Sequence, residues 1–221
     1  MGLLLLVRHG QASFGSDDYD VLSEAGAAQS RLLGAWLAER GLRPDVVVHG
    51  SMRRQRETAE AMTAAAGWGL EAAQDPRWDE FDHLGVVAAH PGGVDPDLDR
   101  RAFQQLFELA TGRWVTGAHD ADYPESFAAF TGRVGAALSA AGDLAGPGRT
   151  VVAVTSGGPI AAACAALVTP DDPAARAAAW QRLNTTIVNS SVTRVVVGST
   201  GARLLTYNEH QHLPAEQVTY R

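Results

Sequence analysis

Leu3-Leu4-Leu5-Leu6-Val7-Arg8-His9-Gly10, or LLLLVRHG, is the stretch on which the fold turns. Five apolar residues in a row, with no polar alternation, predict a strand covered on both faces, as at the centre of a parallel sheet. The run stops at an arginine, a histidine and a glycine, and ligands collect at the carboxyl ends of strands in open α/β sheets. Arg8 and His9 therefore mark a candidate site edge. Taken alone the tripeptide is common by chance, and an ordinary polar histidine is the plainer reading.

Outward from this strand the pattern alternates. Ser23 is a candidate N-cap, and Leu32, Leu33, Trp36 and Leu37 recur at helical spacing until Gly41 and Pro44 stop them. Val46 to Val48 predicts a short strand, then Gly50-Ser51 and a helix carrying Thr58, Ala59, Ala61 and Met62. Val151 to Val154 predicts another strand, Ser156-Gly157-Gly158-Pro159 a turn, and Ile160 to Leu167 a helix. Strands alternating with helices imply an α/β class with a mainly parallel central sheet flanked by helices on both faces. Ser191 to Val197 and Arg203 to Tyr207, around Gly198-Ser199-Thr200-Gly201, predict a closing hairpin. From about residue 75 to 124 the alternation lapses into Pro, Gly and Asp with scattered aromatics, which reads as an irregular or helical insertion over the site. Trp78, Phe81, Phe103, Phe107, Trp114 and Tyr123 either line that site or pack beneath it, with packing favoured for most. No linker divides the chain, so residues 1–221 are expected to form one domain.

Composition narrows the chemistry. The net charge of −7 over 221 residues argues against general affinity for nucleic acid or anionic membranes. All 18 basic residues are arginine. The absence of lysine excludes Schiff-base catalysis, pyridoxal phosphate attachment and a Walker A lysine, whereas arginine offers a permanently charged fork for phosphate oxygens. The single cysteine, Cys164, lies in AAACAAL and reads as a small buried hydrophobe. The run Leu3 to Val7 is too short to cross a bilayer and no basic segment precedes it, so a cytoplasmic protein is expected and the sequons at Asn184 and Asn189 are read as chance matches.

Three strings together, LLLVRHGQAS, LSEAGAAQS and SMRRQRETAE, resemble the histidine phosphatase (phosphoglycerate mutase-like) superfamily. Leu22, Ser23, Gly26 and Gln29 match its Leu-Ser/Thr-x-x-Gly-x-x-Gln helix start. Its second arginine lies four residues before a Thr-Ala pair, and Thr58-Ala59 selects Arg54 over Arg53 and Arg56; a solvated helix face is the plainer account of that cluster. RWDEFDHLG resembles the stretch carrying the family's carboxylate and points to Glu80, with Asp79 and Asp82 as rivals and one extra residue before Gly85. The resemblance implies that neutral His9 attacks phosphorus and carries the phosphoryl group until water removes it. Glu80 would act as proton donor and acceptor, and Arg8 and Arg54 would neutralise the equatorial oxygens. It implies no cofactor and no metal. His210-x-His212 and the alternation of Asp95, Asp97 and Asp99 are weak metal candidates lacking the remaining ligand pattern.

One departure stands out. Where the superfamily has a second histidine in His-Gly-Gly, this chain reads Ser156-Gly157-Gly158. Ser156 still offers a hydroxyl and the N-terminus of the following helix presents backbone N–H groups, so Ser156 and Gly157 are candidate phosphate ligands. Gln11, Ser13, Asp82 and His83 are secondary candidates, and His83, His90 or His119 is a candidate to fill the vacancy. Ser-Gly-Gly combined with a terminal Asn-x-x-x-His-Leu, here Asn208, His212 and Leu213, resembles a subset of the family. The leading expectation is a metal-independent phosphomonoesterase for a small phosphorylated metabolite, with inorganic phosphate as product. The alternatives are mutase-type phosphoryl transfer, or a weakened phosphate-ligand-binding or regulatory protein. A homodimer is suggested by the resemblance alone, and the oligomeric state is left open.

Overall fold

The computed structural model of the chain describes residues 1–13, 20–93, 99–169 and 171–220. In chain order the elements are β1 (Gly2–Arg8), α1 (Glu24–Glu39), β2 (Val46–His49), α2 (Arg53–Ala66), β3 (Ala73–Gln74), α3 (His83–Ala88) and α4 (Arg100–Val115). They continue with α5 (Phe127–Leu144), β4 (Thr150–Thr155), α6 (Gly157–Val168), α7 (Pro173–Asn184), β5 (Val192–Gly198) and β6 (Gly201–Glu209). The strands form one six-stranded sheet in the order β3-β2-β4-β1-β5-β6. β1 to β4 run parallel, whereas β5 is antiparallel to β1 and β6 antiparallel to β5.

The unbroken apolar run of β1 has its explanation in two cores. Leu4 and Leu6 enter one core with Val151, Ala153, Phe130, Val134 and Ile160, under α5 and α6. Leu5 and Val7 enter the other with Val152, Val154, Leu33, Leu37 and Met62, under α1 and α2. All four β1 side chains are fully buried, so either parity demands an apolar residue. The helix that leaves β1 covers one face and the helix that leaves β4 covers the other. The neighbouring carboxyl ends of β1 and β4 are therefore a point where connections diverge and a crevice opens.

Local signals account for most boundaries. Ser23 caps α1 by accepting the Gly26 N–H, and Gly41, at φ 71°, carries the chain away from its other end. One expectation needs correction. Gly157-Gly158-Pro159 is the first turn of α6 and not a separate turn, because a proline without an N–H costs nothing where helical N–H groups have no partner in any case. The 75–124 stretch, expected to be irregular or helical, contains a sixteen-residue helix, α4, capped by Asp99 accepting from Ala102 N–H. Phe103, Leu106, Phe107, Ala110 and Trp114 form its apolar stripe, a signal outweighed in the sequence by the neighbouring Pro and Gly. The two-residue β3 and the helix α7 carried no pattern strong enough to read.

The aromatics of this stretch pack more than they line. Trp78, Phe81, Trp114 and Tyr123 are buried. Phe81 stacks on Trp114 with ring centroids 4.8 Å apart, and Trp180 of α7 meets both edge-on. Cys164 is buried as expected, and burial pushes its thiol up to about 12. Among the described residues no helix is long and apolar enough to cross a membrane.

Gly26 lies so close to the loop after β1 that a Cβ there would sit 2.1 Å from the Gln11 carbonyl oxygen. Gly132, in the exposed interior of α5, faces open space. Gly26→Ala is therefore expected to destabilise by about 1–3 kcal/mol, and Gly132→Ala to stabilise by up to about 1 kcal/mol. Urea unfolding of the two variants checks the pair, and equal effects would contradict this packing.

Candidate active site

The chain leaves β1 pinned on both sides. The His9 N–H donates to the Thr155 carbonyl at 2.8 Å, and the His9 carbonyl accepts from Ser190 N–H at 3.2 Å and from the Asn189 amide at 3.3 Å. Gly10 N–H donates to Thr58 Oγ1 at 3.0 Å. The His9 ring, 5% exposed, lies with Nδ1 2.7 Å from the Gly10 carbonyl oxygen. A carbonyl only accepts, so Nδ1 carries the hydrogen and Nε2 keeps its lone pair. Into that lone pair the Arg54 Nε–H donates at 3.2 Å. Burial first, and then the positive charges of Arg54 and Arg8, hold the His9 pKa well below its ordinary value, against the Gly10 carbonyl. His9 is thus a neutral imidazole with its open nitrogen turned to a cation.

Position on α2 separates the three arginines. Arg54 faces inward, 6% exposed, and its Nη1 pairs with Asp20 at 2.6 Å. Arg53 and Arg56 lie on the outer side, paired with Glu57 at 2.6 Å and Glu60 at 3.6 Å, each four residues on. Asp20 also accepts the Arg53 backbone N–H at 2.8 Å, so one carboxylate holds both the start of α2 and the Arg54 fork. Arg8 Nη1 donates to the carbonyls of Ile187 and, at 3.0 Å, Tyr220. Its Nε lies at the first residue of α6, 3.9 Å from where a Gly157 Cβ would stand.

The rival carboxylates also separate. Glu80 reaches the same helix start, accepting from Gly158 N–H at 3.0 Å and from Phe81 N–H at 3.1 Å. A Cβ on Gly158 would stand 2.1 Å from Glu80 Oε1, so only glycine allows this approach. Burial raises the Glu80 pKa, opposed by those two N–H groups and by the charges of Arg54 and Arg8. Asp79 instead accepts from the Ser51 N–H and hydroxyl, and Asp82 caps α3 by accepting from Gly85 N–H at 2.9 Å.

Ser156 is at the cap position of α6 and fully buried, and its side chain does not cap the helix. Its hydroxyl accepts from the Gln55 amide at 2.8 Å, and the same nitrogen donates to the Trp78 carbonyl at 3.2 Å. Where the resemblance leads to the expectation of an imidazole, this chain has a serine braced by a buried glutamine. The secondary candidates divide. Gln11 turns its amide oxygen to the Ser23 hydroxyl at 3.1 Å, and Ser13 pairs its backbone N–H with the Val21 carbonyl at 2.8 Å. His83 is the histidine of the insertion that belongs to the site's field: it opens α3, and burial and the Arg54 charge lower its pKa against Asp82. His90 accepts from Gly92 N–H at 3.3 Å, and His119 is exposed.

Among the described residues no group of three or more His, Cys, Asp and Glu is gathered as a metal site would require. His210 bonds the Asn208 carbonyl at 2.7 Å and His212 packs on Trp36. Asp99 caps α4, while Asp95 and Asp97 lie outside the described residues. The sequence reading missed Asp20, Gln55 and His49. His49-Gly50 repeats at the end of β2 the His9-Gly10 arrangement, with Nδ1 2.6 Å from the Gly50 carbonyl, and that echo was legible. Nothing local marks Gln55 or Asp20.

The profile of the histidine phosphatase superfamily (branch 1) matches residues 4–210. Among solved structures, mycobacterial glucosyl-3-phosphoglycerate phosphatase in complex with VO3 is 26% identical, with a TM-score of 0.65 over 94% of this chain and 99% of that one. Phosphoglycerate mutase from Bacillus anthracis is 18% identical, with a TM-score of 0.67 over 96% and 94% of the two chains. A mutant phosphoserine phosphatase from Entamoeba histolytica, in complex with phosphoserine, is 16% identical, with a TM-score of 0.69 over 97% and 100%. The last two likenesses carry the fold alone. No curated protein is a significant match to the chain.

Because folding lowers the His9 pKa, the unfolded chain binds more protons than the folded one as the pH drops through 6.5, and stability falls there. His9→Asn removes this contribution. The variant is therefore expected to gain on the parent in urea midpoint between pH 7 and pH 5, and an unchanged difference would mean that His9 is not held neutral. A second expectation concerns the braced serine. Ser156→His should overpack its buried position by about 1–3 kcal/mol, and adding Gln55→Ala should restore most of the loss. Thermal unfolding of the two variants reads this, and no recovery would show that Gln55 is not what fills the space.

Proposed function

The chain belongs to the histidine phosphatase superfamily, and on that premise we propose that it is a metal-independent phosphomonoesterase for a small phosphorylated metabolite, working through a phosphohistidine at His9. The observation that carries the proposal is the neutral His9 ring, with Nδ1–H bound by Gly10 and the Nε2 lone pair facing Arg54. A dianionic phosphoryl group between Arg54, Arg8 and the start of α6 takes the Arg54 fork and frees Nε2. The Nε2 lone pair then forms the bond to phosphorus as the ester P–O bond breaks. The leaving oxygen takes its proton from Glu80, whose raised pKa suits a donor. The positive charge left on the phosphorylated ring is met by the Gly10 carbonyl at Nδ1–H. Water then attacks phosphorus and gives its proton to the Glu80 carboxylate, and inorganic phosphate leaves with His9 neutral again. A second reading, a phosphate-ligand-binding protein of low turnover, is favoured by the Gln55–Ser156 pair standing in the imidazole's place.

Hydrolysis of an aryl phosphate in EDTA is expected for the parent, with a loss of at least about a thousandfold in His9→Ala. Glu80→Gln should slow kcat by about 10² to 10⁴-fold for esters of poor leaving groups, and less for the aryl ester. Acid-labile, alkali-stable labelling of the parent and not of His9→Ala would identify the phosphohistidine. Phosphate binding without turnover or labelling would replace this reading with the second one.

A further inference from the structure

The geometry points to Asn208 as a positioning residue that aims Arg8, through the single peptide group between Ile187 and Val188. The inference rests on the phosphoryl site proposed above, because it concerns one of that site's two cations.

Asn208, the next-to-last residue of β6, lies in the left-handed region, at φ 59°, which asparagine adopts more readily than most residues. Its own backbone is tied on both sides. The Asn208 N–H donates to Thr193 Oγ1 at 3.2 Å, and its carbonyl meets His210 Nδ1 at 2.7 Å. From this fixed point the amide spans the loop after α7. Its Oδ1 accepts the Val188 N–H at 2.8 Å, and its Nδ2 donates to the Thr186 carbonyl at 2.7 Å. A backbone N–H must meet the oxygen and a carbonyl must meet the NH2, so the two contacts settle the amide's orientation.

The Val188 N–H and the Ile187 C=O belong to one planar peptide, and in a trans peptide they point in opposite directions. Asn208 holds the N–H side; Arg8 Nη1 donates to the C=O side. The same Nη1 donates to the Tyr220 carbonyl at 3.0 Å, so both of its hydrogens have acceptors. A planar fork held at one nitrogen by two acceptors has its remaining edge fixed, and here its Nε lies at Gly157, where α6 begins. Hydrogen bonds in series through one peptide also polarise each other, which strengthens the Ile187 carbonyl as the acceptor for Arg8. Asn208 touches no reacting atom in this arrangement. It acts by holding still the carbonyl that sets the direction of Arg8.

The test is inorganic phosphate binding by calorimetry in a double-mutant cycle. Asn208→Gly keeps the left-handed backbone and removes only the amide, and Arg8→Met keeps the stem and removes the fork. Asn208→Gly should weaken phosphate binding by about 10-fold in the parent and leave it unchanged in the Arg8→Met background. Equal weakening in both backgrounds, or none in the parent, would overturn the inference and leave Asn208 a structural clamp. The Arg8 side-chain N–H signals in ¹⁵N-edited NMR give a reading that needs no phosphate. They should broaden and shift in Asn208→Gly, and unchanged signals would overturn the inference equally. If the parent binds no phosphate, the proposed function fails, and the Arg8 signals alone decide the role of Asn208.

Discussion

A strand paired along both edges and covered on both faces can present chemistry only where it ends. β1 is such a strand, lying between β4 and β5 with its leucines divided between two cores. Its carboxyl end therefore delivers Arg8 and His9 at a place set by the whole sheet. The neighbouring end of β4 delivers Thr155 and Ser156, and the Thr155 carbonyl takes the His9 N–H directly. α2 brings Arg54 from one face and α6 brings its N-terminus from the other, so the candidate site lies where the two layers of helices diverge. Glycine permits the close approaches there: a Cβ at Gly10 would meet the Gly26 carbonyl oxygen at 2.3 Å.

Burial acts on two of the titrating groups of this crevice in opposite directions. It lowers the pKa of His9 and raises that of Glu80. Low dielectric disfavours the charged form of each, so one environment favours an unprotonated base and a protonated acid together. The arginines reinforce the first effect and oppose the second. Asp20 stands on Arg54 with a carboxylate of its own, so the fork that faces His9 is already oriented by an anion outside the crevice.

The Ser156 corner is a neutral part of the candidate site. A second imidazole adds a titratable cation beside a phosphoryl group. A serine hydroxyl held by a buried amide adds only a dipole. The positive charge nearest His9 is left to permanently charged guanidinium groups, in a chain with no lysine. Among the histidines of residues 75–124, His83 sits in the field of Arg54, placed there by the start of α3 three residues after Glu80.

Much of this was legible in order of residues. The apolar run of β1, the Ser23 cap, the second and fourth strands and the final hairpin are local patterns, and the structure has them where the periodicities put them. The separation of Arg54 from Arg53 and Arg56 follows from helical phase once the helix start is known. Patterns local in the chain suffice for the α/β class, for the end of β1 as a candidate site edge, and for the residue types available there, because strand period, caps and turns are encoded within a few neighbours. It took the packing of distant segments to show that Gln55 braces a serine 101 positions away, that Asp20 pairs with Arg54, and that Glu80 rather than Asp79 or Asp82 reaches α6. Those choices depend on which polar groups share one buried space, and burial is settled only when distant segments pack.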